Sequence, residues 1–264
     1  MNVAGIDIGS LTAETVILDN EKSVLSYSIV FTGASSKKAC ETSFKQALSS
    51  ANLGSDGIAY IVSTGYGREI VPFANDQVTE ITCHARGAHF LHPQTRSIID
   101  VGGQDSKAIR VNEQGKVMKF AMNDKCAAGC GRFLEVMARA LEVELEDMGE
   151  LSLSSQRFVP ISSMCTVFAE SEVISLIAQD HPVEDIINGL HWSISDRIIG
   201  LLERVGVVED IMMTGGVAKN IGVVNAIEKK LGIKLYISEE PQIVGALGAA
   251  LIALDRGLSK GSKN

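Results

Sequence analysis

The chain has 264 residues, 45% hydrophobic and 21% charged, with a formal net charge of −8. That composition buries a sizeable core and excludes a disordered chain, and the acidic balance without a long basic run argues against a nucleic-acid partner. No apolar stretch is expected to reach the roughly 18 residues that span a bilayer, and residues 1–18 lack a basic start and carry Asp7, so they read as a strand and not a signal peptide. The five cysteines read as thiols or ligands and not as disulfides. The expectation is a cytoplasmic protein with no membrane partner.

In chain order, residues 3–10 read as a short buried strand ending in a turn, with 15–19 and 24–30 as hairpin neighbours. Residues 37–52 have helical spacing, 57–65 return as a strand, and helical spacing resumes over 80–92 until Pro93 stops it. Residues 96–105 repeat the strand-to-turn pattern of the N-terminus, and 108–111 with 116–120 read as a second hairpin. Two helices follow, one led by Cys126 and one by Cys165. After them come a long helix over 182–205, a strand from 210 into a glycine turn, a helix over 220–231, a strand over 234–238 and a closing helix from 245. There is no low-complexity linker. The recurrence places a boundary near Thr95, giving an N-terminal half of 1–95 with the closing helix of about 245–264, and a C-terminal half of 96–244 carrying both helix-leading cysteines.

The repeat carries the chemistry. Asp7-Ile8-Gly9-Ser10 and Asp100-Val101-Gly102-Gly103 each set an aspartate at a strand end before a glycine turn. Asp7 suits Mg²⁺, which takes few carboxylates and keeps water and phosphate as its other ligands. Gly9, Ser10, Leu11 and Thr12 form a loop of backbone N–H and hydroxyl donors for phosphate oxygens, and Asp100, Gly102, Gly103, Gln104 and Asp105 face them as a second loop. A third glycine turn, Thr214-Gly215-Gly216-Val217-Ala218-Lys219, offers a flat backbone surface to an adenosine. One such loop is weak evidence; two at the starts of similar halves make a triphosphate clamp. The chain has no G-x-x-x-x-G-K-[ST], and neither Gly65-Tyr66-Gly67 nor Gly129-Cys130-Gly131 has the third glycine of a dinucleotide fingerprint.

Cysteines 126 and 165 precede helix starts, where free N–H groups lower a thiol's pKa and welcome an anionic centre. By residue chemistry alone they suit zinc, a redox dithiol, simple packing, or half of an iron–sulfur cluster completed by a symmetric partner. Cys40 and Cys83 read as small buried hydrophobes, and His84 beside Cys83 reads as packing, because adjacent helical residues diverge.

The two aspartate loops with Thr214-Gly215-Gly216-Val217 resemble the actin, sugar-kinase and heat-shock-chaperone ATPase superfamily. Within it, the segments 123–129 and 164–173, with 63–68 and 80–85, resemble the ATP-dependent activators of 2-hydroxyacyl-CoA dehydratases, relatives of the benzoyl-CoA reductase ATPase subunits. The resemblance runs over nearly the whole chain. It implies an α/β, two-domain actin-like fold of duplicated ribonuclease-H-like domains with ATP or ADP and Mg²⁺ in the interdomain cleft. It also implies that Cys126 and Cys165 hold one [4Fe-4S] cluster at the two-fold axis of a homodimer. Asp7, Ser10 and Thr12 match the first phosphate loop, Gly102 to Asp105 the second, and Gly215, Gly216 and Lys219 the adenosine loop. Asp7 and Asp105 are the expected Mg²⁺ carboxylates, and Gln104 and Asp105 the candidates to orient the hydrolytic water. Cys130 departs from the family's usual threonine; four residues from Cys126, it is expected on the same helix face, as a spare ligand or, in the favoured reading, an inert packing residue.

The implied activity is ATP-driven transfer of a low-potential electron from ferredoxin or flavodoxin to a separate dehydratase. The alternatives are a benzoyl-CoA-reductase-type ATPase subunit, a small-molecule kinase of the same fold, or a nucleotide-switched scaffold without iron. Which acyl-CoA the partner uses leaves little trace in an activator that touches the partner and not the substrate.

Overall fold

A computed structural model describes residues 1–123, 129–162 and 165–261. The first half opens with β1 (Asn2–Ile8), β2 (Thr12–Leu18) and β3 (Val24–Phe31), then α1 (Ser36–Ser50), β4 (Ile58–Thr64), a two-residue β5 (Asp76–Gln77) and α2 (Glu80–Leu91). The second half repeats the plan with β6 (Ser97–Val101), β7 (Ser106–Val111), β8 (Val117–Asn123), α3 (Gly131–Ala140), a short α4 (Met148–Leu153), α5 (Thr166–Ala178), α6 (Val183–Val205) and β9 (Ile211–Thr214). The chain closes with α7 (Ile221–Leu231) and α8 (Val244–Gly261).

The repeat is visible in strand order. One sheet runs β3-β2-β1-β4-β5 and the other β8-β7-β6-β9. In each, the strand bearing the aspartate pairs antiparallel with the strand after it and parallel with the one that returns after a crossover. Two parallel strands side by side, with loops leaving their carboxyl ends, create the crevice that α/β sheets use for ligands.

The central strands of each sheet are buried on both faces, which accounts for β1 and β6 reading as near-continuous apolar runs. α1 covers one face of the first sheet with Ala39, Phe44, Ala47 and Leu48, and α8 covers the other with Ala246, Leu247, Ala250 and Leu254. α3, α5, α6 and α7 cover one face of the second sheet, and α2 the opposite one. α2 and α8 therefore cross between the halves. Their crossing is nearly backbone on backbone: a Cβ at Gly248 would lie 1.8 Å from the Cys83 carbonyl oxygen, and one at Gly87 would lie 2.3 Å from that of Val244.

Three expectations from the sequence are corrected. Residues 234–238 do not form a strand; only Tyr236 bridges Met212, because β9 ends four residues in at the Gly215 turn. Residues 241–259 are long and apolar enough to cross a membrane, with mean hydropathy 1.2, but 61% of that window is buried inside the fold, so the apolarity serves the interface between α2 and the first sheet. The first cysteine helix does not start behind Cys126, which lies outside the described residues. It starts at Gly131 with Cys130 as its N-cap, because Gly129 has φ +90° and Cys130 is extended at φ −132°, ψ 178°. Cys130 is therefore the N-cap of α3 and not a residue within it, and its expected place on one helix face with Cys126 lies outside the described residues. Cys130 is fully buried.

Candidate functional site

The first loop leaves β1 behind Asp7 and closes on itself, with the Gly9 N–H donating to the Thr12 carbonyl at 2.9 Å. Thr32 braces it, its N–H on the Leu11 carbonyl at 2.8 Å and its hydroxyl on that of Gly9 at 3.1 Å. The second loop leaves β6 behind Asp100 with the same turn, the Gly102 N–H donating to the Asp105 carbonyl at 3.0 Å.

A glycine on the neighbouring parallel strand backs each aspartate. Gly65, at φ +84°, sits where a Cβ would lie 2.2 Å from Asp7 Oδ1. Gly215, at φ +85°, sits where a Cβ would lie 2.8 Å from Asp100 Oδ1. The left-handed backbone and the missing side chain are both needed there. The two half-sites touch, since the Leu11 side chain packs directly on Gly103.

Behind Gly215, residues Gly216–Lys219 form a single 3₁₀ turn that buries Val217, and Lys219 Nζ pairs with Glu240 Oε1 at 2.8 Å. Gln242, next to that pair, donates to Thr12 Oγ1 at 3.0 Å and to Glu14 Oε1 at 3.2 Å. It ties the region behind the Gly215 turn to the first loop. Ser10 is half-buried and Gln104 exposed on their respective loops.

Four carboxyl groups share the cleft, and their surroundings separate them. Burial pushes Asp7 up to about 6, with His84 opposing that rise. Burial also pushes Glu14 up to about 8, with the Asp7 charge adding to it and hydrogen bonds from Thr12 and Gln242 opposing it. Burial works against the charge on Asp100 as well, but His84, Lys107 and Thr214 outweigh it and hold that carboxyl below the usual range. Asp105 is raised by burial against the pull of Lys107. Lys107 donates to Asp100 Oδ2 at 3.2 Å and Asp105 Oδ1 at 2.8 Å, so both second-loop aspartates already hold a cation.

Among the described residues no group of three or more His, Cys, Asp or Glu side chains is placed to hold a metal ion. A Mg²⁺ ion between few carboxylates would take most of its ligands from phosphate and water, which suits its reluctance to dehydrate.

Glu14 gives a pH test. Its folded carboxyl keeps a proton that the unfolded chain gives up between pH 4.5 and about 8. Stability from this group is therefore gained as pH falls through that window and lost above it. Glu14→Gln keeps the Gln242 contact without the charge. At pH 8.5 it should raise the melting temperature by about 2–4 °C for each kcal/mol regained, and the gain should shrink towards pH 5. No gain at pH 8.5 would show that Glu14 folds ionised without cost.

The second loop also holds the cysteine segment. The Gly131 N–H donates to the Gly102 carbonyl at 2.9 Å and the Arg132 N–H to the Gly103 carbonyl at 2.8 Å. The Ser106 hydroxyl donates to the Gly129 carbonyl at 3.1 Å. The first N–H groups of α3, which have no partner within the helix, are thus satisfied by the loop expected to bind phosphate. α3 in turn packs on α5, whose N-cap is Cys165. Glu172 Oε1 on α5 accepts from both the N–H and the hydroxyl of Ser162 at 2.9 Å. That thiol is exposed. So is much of its helix: Val167, Phe168 and Ile174 are 65%, 69% and 55% exposed, and only Ala169 and Val173 are buried.

The model of the BadF/BadG/BcrA/BcrD ATPase family matches residues 4–253. The chain belongs to that family. This ATPase is 47% identical over 250 residues to the (R)-2-hydroxyglutaryl-CoA dehydratase activating ATPase of Acidaminococcus fermentans, covering 94% of this chain and 95% of the relative. The solved activator of the 2-hydroxyisocaproyl-CoA dehydratase from Clostridium difficile, with bound ADPNP, superposes with a TM-score of 0.95 at 41% identity, over 100% of this chain and 98% of that one. A ROK family glucokinase from Streptomyces griseus superposes with a TM-score of 0.59 at 16% identity, covering 97% of this chain and 100% of that one, which shows the shared fold alone. The ATPase thus has the two-domain actin-like fold expected from its paired aspartate loops.

The structure brings together Asp7, the Gly9–Thr12 turn, Asp100, the Gly102–Asp105 turn and the Gly215 turn. Cys126 lies outside the described residues, and Cys165 stands exposed at the N-terminus of α5. Sequence reasoning missed Glu14, Lys107 and Gln242. It also misread His84, which does not simply pack but lies 3.5 Å from Asp100 and 4.0 Å from Asp7. Glu14 could have been found by register, since it is the Cα partner of Asp7 across the β1–β2 pair.

Proposed function

We propose that this ATPase activates a 2-hydroxyacyl-CoA dehydratase by delivering a low-potential electron, using MgATP to change the setting of its cysteine segments. The observation that carries the proposal is the pair of hydrogen bonds from the start of α3 to Gly102 and Gly103. A nucleotide that moves the second loop must move the start of α3, and α5 with it through their packing. The near full-length likeness to two named dehydratase activators supports the same reading.

The division of labour follows the two halves: residues 1–95 with the closing helix as one body, and 96–244 as the other. Asp7 holds Mg²⁺ through its carboxylate. Gly9 to Thr12 and Gly102 to Gly103 cradle the phosphates, and Gly215, Gly216, Val217 and Lys219 face the adenosine. Asp105 is engaged by Lys107, whereas Gln104 is exposed on the loop. We therefore assign water orientation to Gln104, and the shaping of the loop and a share of Mg²⁺ binding to Asp105. Removing one positioned transition-state donor costs about 10²–10³ in kcat. Gln104→Ala should lose ATP turnover within that range while retaining ADP; full turnover would remove Gln104 from the role.

Cys165 suits a [4Fe-4S] cluster shared between two chains. It is an exposed thiol at a helix start whose side chain does not cap that helix. The apolar face beside it is uncovered by its own chain, as at an isologous interface. Cys126 and Cys165 from each of two chains make up the four thiolates that such a cluster takes. When bound, the cluster would supply a one-electron centre of low potential. Ferredoxin or flavodoxin is the donor class that matches it, and the cytoplasm the compartment.

Anaerobic purification followed by iron and sulfide analysis tests this. About four irons per dimer, lost in Cys126→Ala and in Cys165→Ala, is the expected result. An iron-free protein that passes phosphate to a small molecule would end the proposal in favour of a kinase.

A further inference from the structure

His84 stands where the two halves of the cleft meet. α2 carries it between the sheets, and it is buried. Nδ1 lies 3.2 Å from Thr214 Oγ1 at the end of β9. Nε2 lies 3.5 Å from Asp100 Oδ2 in one sheet and 4.0 Å from Asp7 Oδ2 in the other. α8 leaves room for this meeting only through Gly245, where a Cβ would sit 2.0 Å from Asp7 Oδ2 and 3.0 Å from His84 Nε2.

The proton positions follow from the partners. Thr214 can donate its hydroxyl hydrogen to Nδ1, or accept from Nδ1–H while donating to Asp100 Oδ1 at 3.1 Å. The tautomer that suits both sides carries its hydrogen on Nε2, with Nδ1 accepting from Thr214, because an ionised carboxylate only accepts. The ring is thus oriented by the third glycine turn and presents a donor to the aspartates of the first and second. Lys107 serves Asp100 and Asp105, both in the second half. His84 reaches aspartates of both.

We propose that His84 is the positioning residue that sets Asp7 against Asp100 and so fixes the relative placement of the two phosphate loops around magnesium and the triphosphate. It acts through the aspartates and not on the nucleotide. The inference rests on the reading of the cleft as a MgATP site. Groups that orient a metal's own ligands commonly cost 10–100-fold in metal affinity or activity when removed.

The test compares wild type with His84→Ala, His84→Leu, His84→Gln and Thr214→Val in three measurements. These are Mg²⁺ titration of ATP hydrolysis, Mn²⁺ binding to the ADP complex by electron paramagnetic resonance, and ADP binding without metal. His84→Ala and His84→Leu should weaken Mn²⁺ binding and raise the Mg²⁺ midpoint about tenfold or more. Metal-free ADP binding should stay near wild type, because the adenosine turn is untouched. His84→Gln, which keeps an N–H donor, should recover most of the loss. Thr214→Val, which removes both the contact to the ring and the one to Asp100, should cost less when added to His84→Ala than it does alone, since part of its effect passes through that ring.

Wild-type metal binding in the alanine and leucine variants would overturn the proposal. So would a glutamine variant as impaired as leucine, or a loss of metal-free ADP binding as large as the loss of Mn²⁺. If alanine fails to fold, the contrast between glutamine and leucine decides alone. Absence of Mg²⁺-dependent hydrolysis in the wild type would sink the underlying site reading, and is seen before any variant is made.

Discussion

Gly131→Pro should leave ATP hydrolysis largely intact and remove the nucleotide's control over the cysteine segments. Proline is tolerated in the first turn of a helix, where its missing N–H has no intrahelical partner, and it favours an extended residue before it. Cys130 is already extended, at φ −132° and ψ 178°. The substitution therefore deletes the N–H that reaches Gly102 while sparing the helix itself. Gly131→Ala is the control. It adds a Cβ 3.3 Å from the Gly102 carbonyl oxygen and 3.4 Å from Gly103 Cα, a tight but retained contact, and keeps the N–H. Coupling between sites amounts to about 1–3 kcal/mol, or about 5–150-fold. The measurement is the ratio of iron release to a chelator between the ADP state and the state with a non-hydrolysable ATP analogue. That ratio should collapse towards one in the proline variant and persist in the alanine control. An unchanged ratio in Gly131→Pro would mean that the nucleotide reaches the cysteines by another route.

The second large effect is an asymmetry between aspartates that topology makes equivalent. Asp7→Asn should cost ATP turnover about 10²-fold or more, the scale of losing one preorganised charged group, while raising the stability of the nucleotide-free protein. The reason is that burial raises the Asp7 carboxyl to about 6, and His84, at 4.0 Å, opposes that rise only in part. Its folded form keeps a proton between the ordinary 3.8 and about 6, so its charge burdens the fold at neutral pH. If Asp7 holds Mg²⁺ as proposed, the Mg²⁺ concentration needed for half-maximal turnover should rise as pH falls below about 6, because protons then compete with the metal for that carboxylate.

Asp100→Asn should behave in the opposite way. That carboxylate lies between Lys107 and His84 and is held below its usual range, so its stabilising charge is present at neutral pH and lost only as acid protonates it. Breaking a buried pair by removing one partner costs about 3–5 kcal/mol. Thermal melts of the two variants at pH 7.5 should move in opposite directions from wild type. Melts that move together would refute the electrostatic assignment.

Much of this was legible in the chain. Asp-x-Gly at two strand ends announced two equivalent turns, and they close with the same hydrogen bond, Gly9 to Thr12 and Gly102 to Asp105. What was not legible depends on contacts between distant segments. In sequence His84 has only Cys83 beside it to suggest a role, yet its partners arrive from β1, β6 and β9. The start of α3 was placed too early because the periodicity continues back through 127 and 128, and only a left-handed Gly129 stops it. α4 and β5 are too short to leave a period. The strand expected at 234–238 had the right composition but only a four-residue neighbour to pair with.

The return of α8 to the first sheet bears on how the chain comes off the ribosome. One face of that sheet, built by Val3, Val16, Leu18, Tyr60 and Val62, is covered by residues from Ile243 to Leu254. Synthesis therefore leaves that face bare until residues 243 to 254 emerge, whereas the second sheet meets α3 through α7 as soon as they are made. The later half should mature first, with the earlier half waiting open beside it. Truncation before residue 243 should consequently yield a native-like second half joined to an aggregation-prone first one. Nascent chains stalled at that length would be clients for chaperones that shield apolar sheet.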